Sequence, residues 1–271
     1  MMRVAHRGLA GLYPENTMIA FEKCLEYNPE AIEMDVQMTK DGELVVFHDE
    51  EVSRTTGAKG WVKDMTLAEM RELDPSNGFD IHDQKVPTLD EYFDLVQDKD
   101  LVTFVELKNS FITYDGMEEK VLECIDRHNL REKVIIYSAN HYSVMKFKAM
   151  APDIEICFPF DNWIFDYGEY CEKRNVTITI PYHFALTQEI MDDFHKHGVK
   201  VYPWTVDEPE EMRRMLDMGA DGMLTNRVDC SLNLNEIKKA AIWRPFLFHL
   251  RSFIAFSISA IERPILLSGA T

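Results

Sequence analysis

The sequence predicts a (β/α)8 TIM barrel, and three observations carry that prediction. Eight short apolar runs of strand length alternate with helical patterns over about 230 residues. The whole chain is 271 residues, close to the roughly 250 that a barrel of this kind needs as one unit. No Gly-x-Gly-x-x-Gly follows any of the strand runs, which removes the main support for a doubly wound open sheet. The expected organisation is a barrel over 1–235 and a C-terminal helical tail over 236–271. A small insertion, at about 49–86, follows the first βα unit and a hairpin.

The strand runs are 4–6, 31–36, 102–107, 134–138, 154–158, 176–180, 199–204 and 222–225. They are rich in Val, Ile and Phe, as strands buried on both faces are. Helical patterns fall at 17–27, 89–96, 117–128, 141–150, 188–197 and 208–218. One stretch breaks the rhythm. Asp41-Gly42, between alternating segments, signals a two-residue hairpin. Strand 33–38 should then fold back on 43–48, with opposed positions summing to 83, so that Asp35 faces His48. Residues 49–86 hold Gly57, Gly60, Pro75, Gly78 and a short helix near 67–73. A connection of that length is more often functional than not, and it should lie over the barrel mouth.

Glu33 and Asp35 sit two apart on a strand, so both carboxylates share one face. Two buried carboxylates side by side repel and are costly to desolvate, which calls for a positive centre between them. A hard cation with oxygen ligands, Mg2+ or Ca2+, supplies it. Glu106 and Lys108 repeat the spacing at the end of another strand, where barrel enzymes carry their chemistry. Glu106 is then a third metal ligand, and Lys108 a cation for an anionic group. His6 and Arg7 end the first strand, and Gly8 permits a tight turn. An imidazole beside a guanidinium suits a phosphate, and the hairpin brings a second imidazole, His48, to the same neighbourhood. Such a pair suits in-line displacement, one residue as base and the other as acid. Asn16 reads as an N-cap of the first helix. Trp204 and Tyr202 would wall a substrate pocket or fill the core, and His141 would line the mouth.

The formal charge is −18, from 29 basic and 47 acidic residues, which disfavours binding to nucleic-acid phosphates. Residues 236–271 are the exception, with five basic and two acidic side chains. Within them 246–261, FLFHLRSFIAFSISAI, is too short and too polar for a comfortable bilayer span. It reads as a helix packing on the barrel or across a homodimer, or as an interfacial helix giving peripheral membrane contact. Five scattered cysteines without a Cys-x-x-Cys point to reduced thiols, and the N-terminus lacks a signal-peptide core. The expected location is cytoplasmic.

Several ordered segments resemble the glycerophosphodiester phosphodiesterase family. They are His6-Arg7-Gly8, Pro14-Glu15-Asn16-Thr17, Ala20-Phe21, Ile32-Glu33-Met34-Asp35-Val36, Thr39-Lys40-Asp41-Gly42 and Val45-Val46-Phe47-His48-Asp49. Arg54-Thr55-Thr56-Gly57, Val86-Pro87-Thr88-Leu89-Asp90-Glu91, Glu106-Leu107-Lys108, Trp204-Thr205-Val206 and Gly219-Ala220-Asp221-Gly222 complete the set. The likeness covers residues 3–228. It implies a barrel with an early insertion and a divalent metal, Mg2+ or Ca2+, on Glu33, Asp35 and Glu106. It also implies His6 and His48 as the acid/base pair, with Arg7 and Lys108 on the phosphate. The implied reaction is hydrolysis of a glycerophosphodiester, such as glycerophosphocholine, to glycerol 3-phosphate and an alcohol. Residues 138–142, SANHY, and 28–32, NPEAI, depart from the family pattern without touching these positions. A lysophospholipase D with the same chemistry, motivated by the apolar tail, is the alternative. A binding barrel with a structural metal and a metal-assisted lyase stand behind it.

Overall fold

The computed structural model describes residues 1–230; the tail 236–271, with its apolar stretch 246–261, lies outside the described residues. The chain runs β1 (Met2–His6), α1 (Met18–Leu25), β2 (Ala31–Met38), β3 (Leu44–Val46), α2 (Ser53–Thr56), α3 (Leu67–Arg71), α4 (Leu89–Val96) and β4 (Val102–Leu107). It continues α5 (Met117–Arg127), β5 (Val134–Tyr137), α6 (His141–Met150), β6 (Glu155–Phe160), α7 (Tyr167–Glu172), β7 (Ile178–Pro181), α8 (Gln188–Lys196), β8 (Lys200–Val201), α9 (Pro209–Asp217) and β9 (Gly222–Thr225).

Eight strands are parallel in the order β8-β7-β6-β5-β4-β2-β1-β9, and β3 lies antiparallel on β2. Backbone bonds from Asp221 N to Val201 O (3.0 Å) and Leu224 N to Pro203 O (2.9 Å) bring the last strand back against β8. The expected (β/α)8 barrel is therefore what forms. Strand β8 is shorter than the 199–204 run because Pro203 has no N–H to give the ladder. Helix α7 was not foreseen, since 167–172 is too short for a clear period.

Alternation along each strand divides the apolar residues into two cores. Val4, Ala31, Phe104, Ile135, Ile178 and Tyr202 fill the barrel interior, and Phe104 packs against Tyr202 with ring centroids 5.8 Å apart. Tyr202 is thus core and not a pocket wall. Their strand neighbours Ala5, Ile32, Met34, Val105 and Ile136 face outward and join Phe21, Tyr92, Phe93 and Phe147 from the helices. Threonine caps start several helices: Thr88 accepts from Glu91 N, and the Glu91 side chain reaches back to Thr88 N at 2.8 Å.

The β2–β3 hairpin differs from expectation in register. Val36 pairs with Val46 and Met38 with Leu44, so opposed positions sum to 82 and Asp35 faces Phe47 rather than His48. The loop has three residues: Thr39 N bonds Glu43 O at 2.9 Å, and Gly42 takes φ +82°. Asp41 explains the choice. Its carboxylate accepts from Thr39 Oγ1 (2.6 Å) and, at 3.0 Å, from Leu67 N at the start of α3, so the turn is tied to the following segment. That segment returns when Val46 N bonds Pro87 O at 2.8 Å, and Val45, Phe47, Val52, Val62, Met70 and Val86 give it a small core of its own.

Removing the interior ring should be felt by the whole barrel. Phe104→Ala is expected to lower the unfolding free energy by about 3–5 kcal/mol in chemical denaturation, the usual cost of a large cavity. A loss below about 1 kcal/mol would contradict a close-packed interior.

Candidate active site

Parallel pairing brings the acidic side chains together. Asp35 on β2 is in register with Glu106 on β4, His6 on β1 with Glu33, and Glu106 with Tyr137 on β5. Neighbouring strands lie about 4.8 Å apart, and residues in register point the same way. Carboxylate oxygens of Glu33, Asp35 and Glu106 consequently lie within 4.8 Å of one another. Glu33 and Asp35 are fully buried. Tyr137 OH donates to Glu33 Oε1 (2.6 Å), Arg7 N to Glu33 Oε2 (3.1 Å) and Asn16 Nδ2 to Asp35 Oδ2 (2.8 Å). Asp35 Oδ1 is buried without a hydrogen-bond partner.

The charges respond to this crowding. Burial, and then Asp35, push the Glu33 carboxyl well above its ordinary 4.5. Burial raises Glu106 as well, against the pull of Lys108. Burial opposes ionisation of Asp35 too, but His48, Arg7 and Lys108 outweigh it and hold this carboxyl below its ordinary range. Lys108 Nζ stands 3.0 Å from Glu106 Oε1 and 3.8 Å from Asp35 Oδ1, and Arg7 Nε 3.3 Å from Asp35 Oδ2.

Arg7 reaches this position through an unusual backbone. Arg7, Gly8 and Asn16 all have left-handed φ, of +55°, +82° and +57°. Only glycine fits at position 8, because a Cβ there would meet the Ala20 carbonyl at 2.8 Å. Asn16, expected as a cap, is instead a buried clamp on Asp35; Thr17 is the N-cap of α1, accepting from Ala20 N.

The two imidazoles line one cavity of about 520 Å³ with Arg7, Glu106, Lys108 and Trp204. His6 is buried, with Nδ1 2.8 Å from Asn226 Oδ1 and Nε2 3.8 Å from Glu33 Oε2. Burial, helped by Arg7, pushes its pKa down to about 3, so the ring is neutral near pH 7. His48 lies beyond β3, where Gln37 Nε2 holds its carbonyl at 3.1 Å; this contact delivers it to the mouth despite the altered register. Its Nδ1 is 2.5 Å from Asp49 Oδ1, and Lys108 Nζ is 3.2 Å from Nε2. Since Lys can only donate, the neutral ring has its lone pair on Nε2 and its Nδ1–H facing Asp49. His141 also lines the cavity, stacked on Phe158 with centroids 4.0 Å apart. His6, Arg7, His48, Glu106, Lys108, His141 and Trp204 therefore line one cavity, with Glu33 and Asp35 buried beside Glu106, while Tyr202 lies in the barrel interior.

Sequence reasoning missed the supporting groups. Tyr137 could have been found as the inward residue two past Ile135. Glu15, Arg54 and Asp49 form a chain in which Arg54 bonds Glu15 at 2.6 Å and Asp49 at 2.6 Å; no local spacing reveals it. The β6–α7 loop, 161–166, also went unnoticed, although Ile164 and Phe165 line the cavity and Trp163 and Phe165 are 65% and 91% exposed. Phe184 is exposed after β7, next to β6 in the sheet, and Phe111 is exposed after β4, two strands away. A second acidic group, Asp90 with Cys124 and His128, is already neutralised, since Arg127 Nη2 bonds both Asp90 oxygens at 2.7 and 2.9 Å.

A barrel whose mouth gathers three carboxylates, two imidazoles and two cations is the architecture of a phosphoric diester hydrolase. The chain matches the glycerophosphoryl diester phosphodiesterase family over residues 6–230, and it belongs to that family. It is 40% identical over 233 residues to a glycerophosphodiester phosphodiesterase of Caldanaerobacter subterraneus subsp. tengcongensis, covering 85% of this chain and 96% of that one. Another so named, from Bacillus altitudinis, is 37% identical over 246 residues, covering 87% and 98% of the two chains. The solved glycerophosphodiester phosphodiesterase of Thermotoga maritima superposes with TM-score 0.70 at 27% identity, covering 88% of this chain and 98% of that one. Among the described residues no helix is long and apolar enough to cross a membrane.

The raised Glu33 carboxyl has a consequence for metal-free stability. The folded state keeps this proton to a higher pH than the unfolded state does, so stability falls as pH rises above about 4.5. In EDTA, Glu33→Gln should flatten the decline in unfolding free energy between pH 5 and 7.5. An equally steep decline in parent and variant, measured by urea denaturation, would contradict the burial of an uncompensated charge.

Proposed function

We propose that the protein hydrolyses glycerophosphodiesters to glycerol 3-phosphate and an alcohol, with His6 and His48 as the acid/base pair. Glu33, Asp35 and Glu106 would hold one divalent cation, Mg2+ or Ca2+. The observation that carries this reading is the orphaned Asp35 Oδ1 among three converging carboxylates, in one cavity with both imidazoles. An oxygen-only donor set suits a hard cation. When bound, that cation polarises the phosphoryl group and offsets its charge.

Arg7 and Lys108 bind and orient the phosphoryl oxygens, supplying the local positive charge that a protein of net charge −18 otherwise lacks. A hydroxyl, from water or from the glycerol 2-position, attacks phosphorus. His6, whose lone pair lies on Nε2, takes the hydroxyl proton, and His48, entering this step protonated on both nitrogens, gives its Nε2 proton to the alcohol oxygen as the P–O bond to the head group breaks. With the glycerol hydroxyl as nucleophile, a water then opens the cyclic diester with the two roles reversed. Asp49 keeps the His48 ring in place through Nδ1. Trp204 walls the substrate space.

His6→Ala and His48→Ala should each lower kcat on glycerophosphocholine by about 10²–10⁴-fold while leaving the melting transition nearly unchanged. EDTA should abolish activity, and Mg2+ or Ca2+ should restore it. Near-normal turnover in both variants, or in protein shown to be metal-free, would overturn the reading.

A second reading is lysophospholipase D activity on an amphiphilic substrate. Exposed Trp163, Phe165 and Phe184 at the mouth favour it, because large apolar groups gathered there suit an acyl chain or a lipid surface. Trp163→Ser with Phe184→Ser should reduce turnover of micellar lysophosphatidylcholine about tenfold or more and leave glycerophosphocholine turnover unchanged. Equal effects on both substrates would remove this reading.

A further inference from the structure

Beyond the mouth, His6 is held from behind. Asn226 follows β9, and Asp207 lies in the loop between β8 and α9. Asp207 Oδ2 accepts from Asn226 Nδ2 at 2.8 Å, and Asp207 Oδ1 accepts from Asn226 N at 2.7 Å and from Thr225 Oγ1 at 3.0 Å. Three donors thus fix the carboxylate. An ionised carboxylate can only accept, so the Asn226 amide must turn its NH2 toward Asp207 and its carbonyl toward His6. That carbonyl meets His6 Nδ1 at 2.8 Å. A carbonyl carries no proton, so Nδ1 must carry it, and the lone pair of the neutral ring is left on Nε2.

We propose that Asp207 and Asn226 are positioning residues for the reaction: they hold His6 in the tautomer that keeps Nε2 unprotonated on the cavity side. The two imidazoles of the site then share one orientation rule by different means. His48 has its Nδ1 proton held by a carboxylate directly, at 2.5 Å from Asp49. His6 has the same proton held by an amide that a carboxylate orients. An amide whose orientation is fixed presents only an acceptor to Nδ1, and it does so without placing a full negative charge against the ring. The proposal rests on the acid/base reading of His6 and adds the residues that make that nitrogen available.

The test reverses the amide. In Asp207→Asn the new NH2 can donate to Asn226 Oδ1, which turns the Asn226 NH2 toward His6 and moves the ring proton to Nε2. The Asp207→Asn/Asn226→Asp double variant restores an acceptor facing Nδ1. Protein labelled with 15N-histidine and loaded with Mg2+ reports the tautomer through long-range 15N–1H couplings, with the His6 signals assigned by their absence in His6→Ala. The parent and the double variant are expected to show Nδ1–H. Asp207→Asn is expected to show Nε2–H, with kcat on glycerophosphocholine lowered by about 10²-fold or more and KM within about twofold; a wrong tautomer costs up to about 10⁴ where the effect is known. The double variant should recover most of kcat, which a merely structural role of Asp207 would not produce. A parent with the proton on Nε2, or an Asp207→Asn variant that keeps it on Nδ1, would overturn the relay and leave the acid/base reading standing. A switched tautomer with unchanged kcat would instead overturn the acid/base reading on which the relay depends.

Discussion

Three carboxylates forced together inside a barrel set the terms for everything around them. Glu33 and Asp35 are fully buried, on a strand flanked by two others, and register places Glu106 beside Asp35. Like charges at this spacing in a region of low dielectric are strongly unfavourable. The surroundings are built to contain them: Tyr137 and the Arg7 amide on Glu33, Asn16 on Asp35, Lys108 on Glu106. Even so, Glu33 is driven toward its neutral form and Asp35 keeps one oxygen without a hydrogen bond. The arrangement is an incomplete one that a bound cation would complete.

Much of this was legible in the sequence because it follows from short-range rules. Spacings of two on a strand put Glu33 beside Asp35 and Glu106 beside Lys108 on shared faces, and the rhythm of apolar runs made a barrel the natural closure. What the sequence hid was set by contacts between distant segments. The hairpin adopted a three-residue loop because Asp41 accepts from Leu67 N at the start of α3, more than twenty residues on, and no local preference reveals that. His48 still reached the mouth, but through Gln37 rather than through the pairing with Asp35 that Asp41-Gly42 suggested. Asn16 looked like a cap because it precedes a helix; its left-handed backbone turns it onto Asp35 and leaves capping to Thr17.

The strong negative charge of the protein and its handling of an anion are reconciled by distance. Lys108 and Arg7 are held in place by the carboxylates whose charge they offset, and both side chains are mostly buried. In that setting a cation acts at short range and with little screening, whereas the acidic exterior is attenuated within about 10 Å by salt. Net charge therefore says little about what the mouth attracts and more about what the outer surface repels.

The segment between β3 and α4 has a core separate from both cores of the barrel, and His48, two residues past β3, supplies one imidazole of the site. Its side-chain ties to the mouth are few: Arg54, which bridges Glu15 and Asp49 at the surface, and His48, which faces Lys108. A unit built this way can open without the barrel coming apart, since sub-global unfolding follows the boundaries of independent packing. Heat or denaturant would then silence the enzyme while most of its secondary structure was still in place, and amide exchange across 49–86 would outpace that of the eight staves.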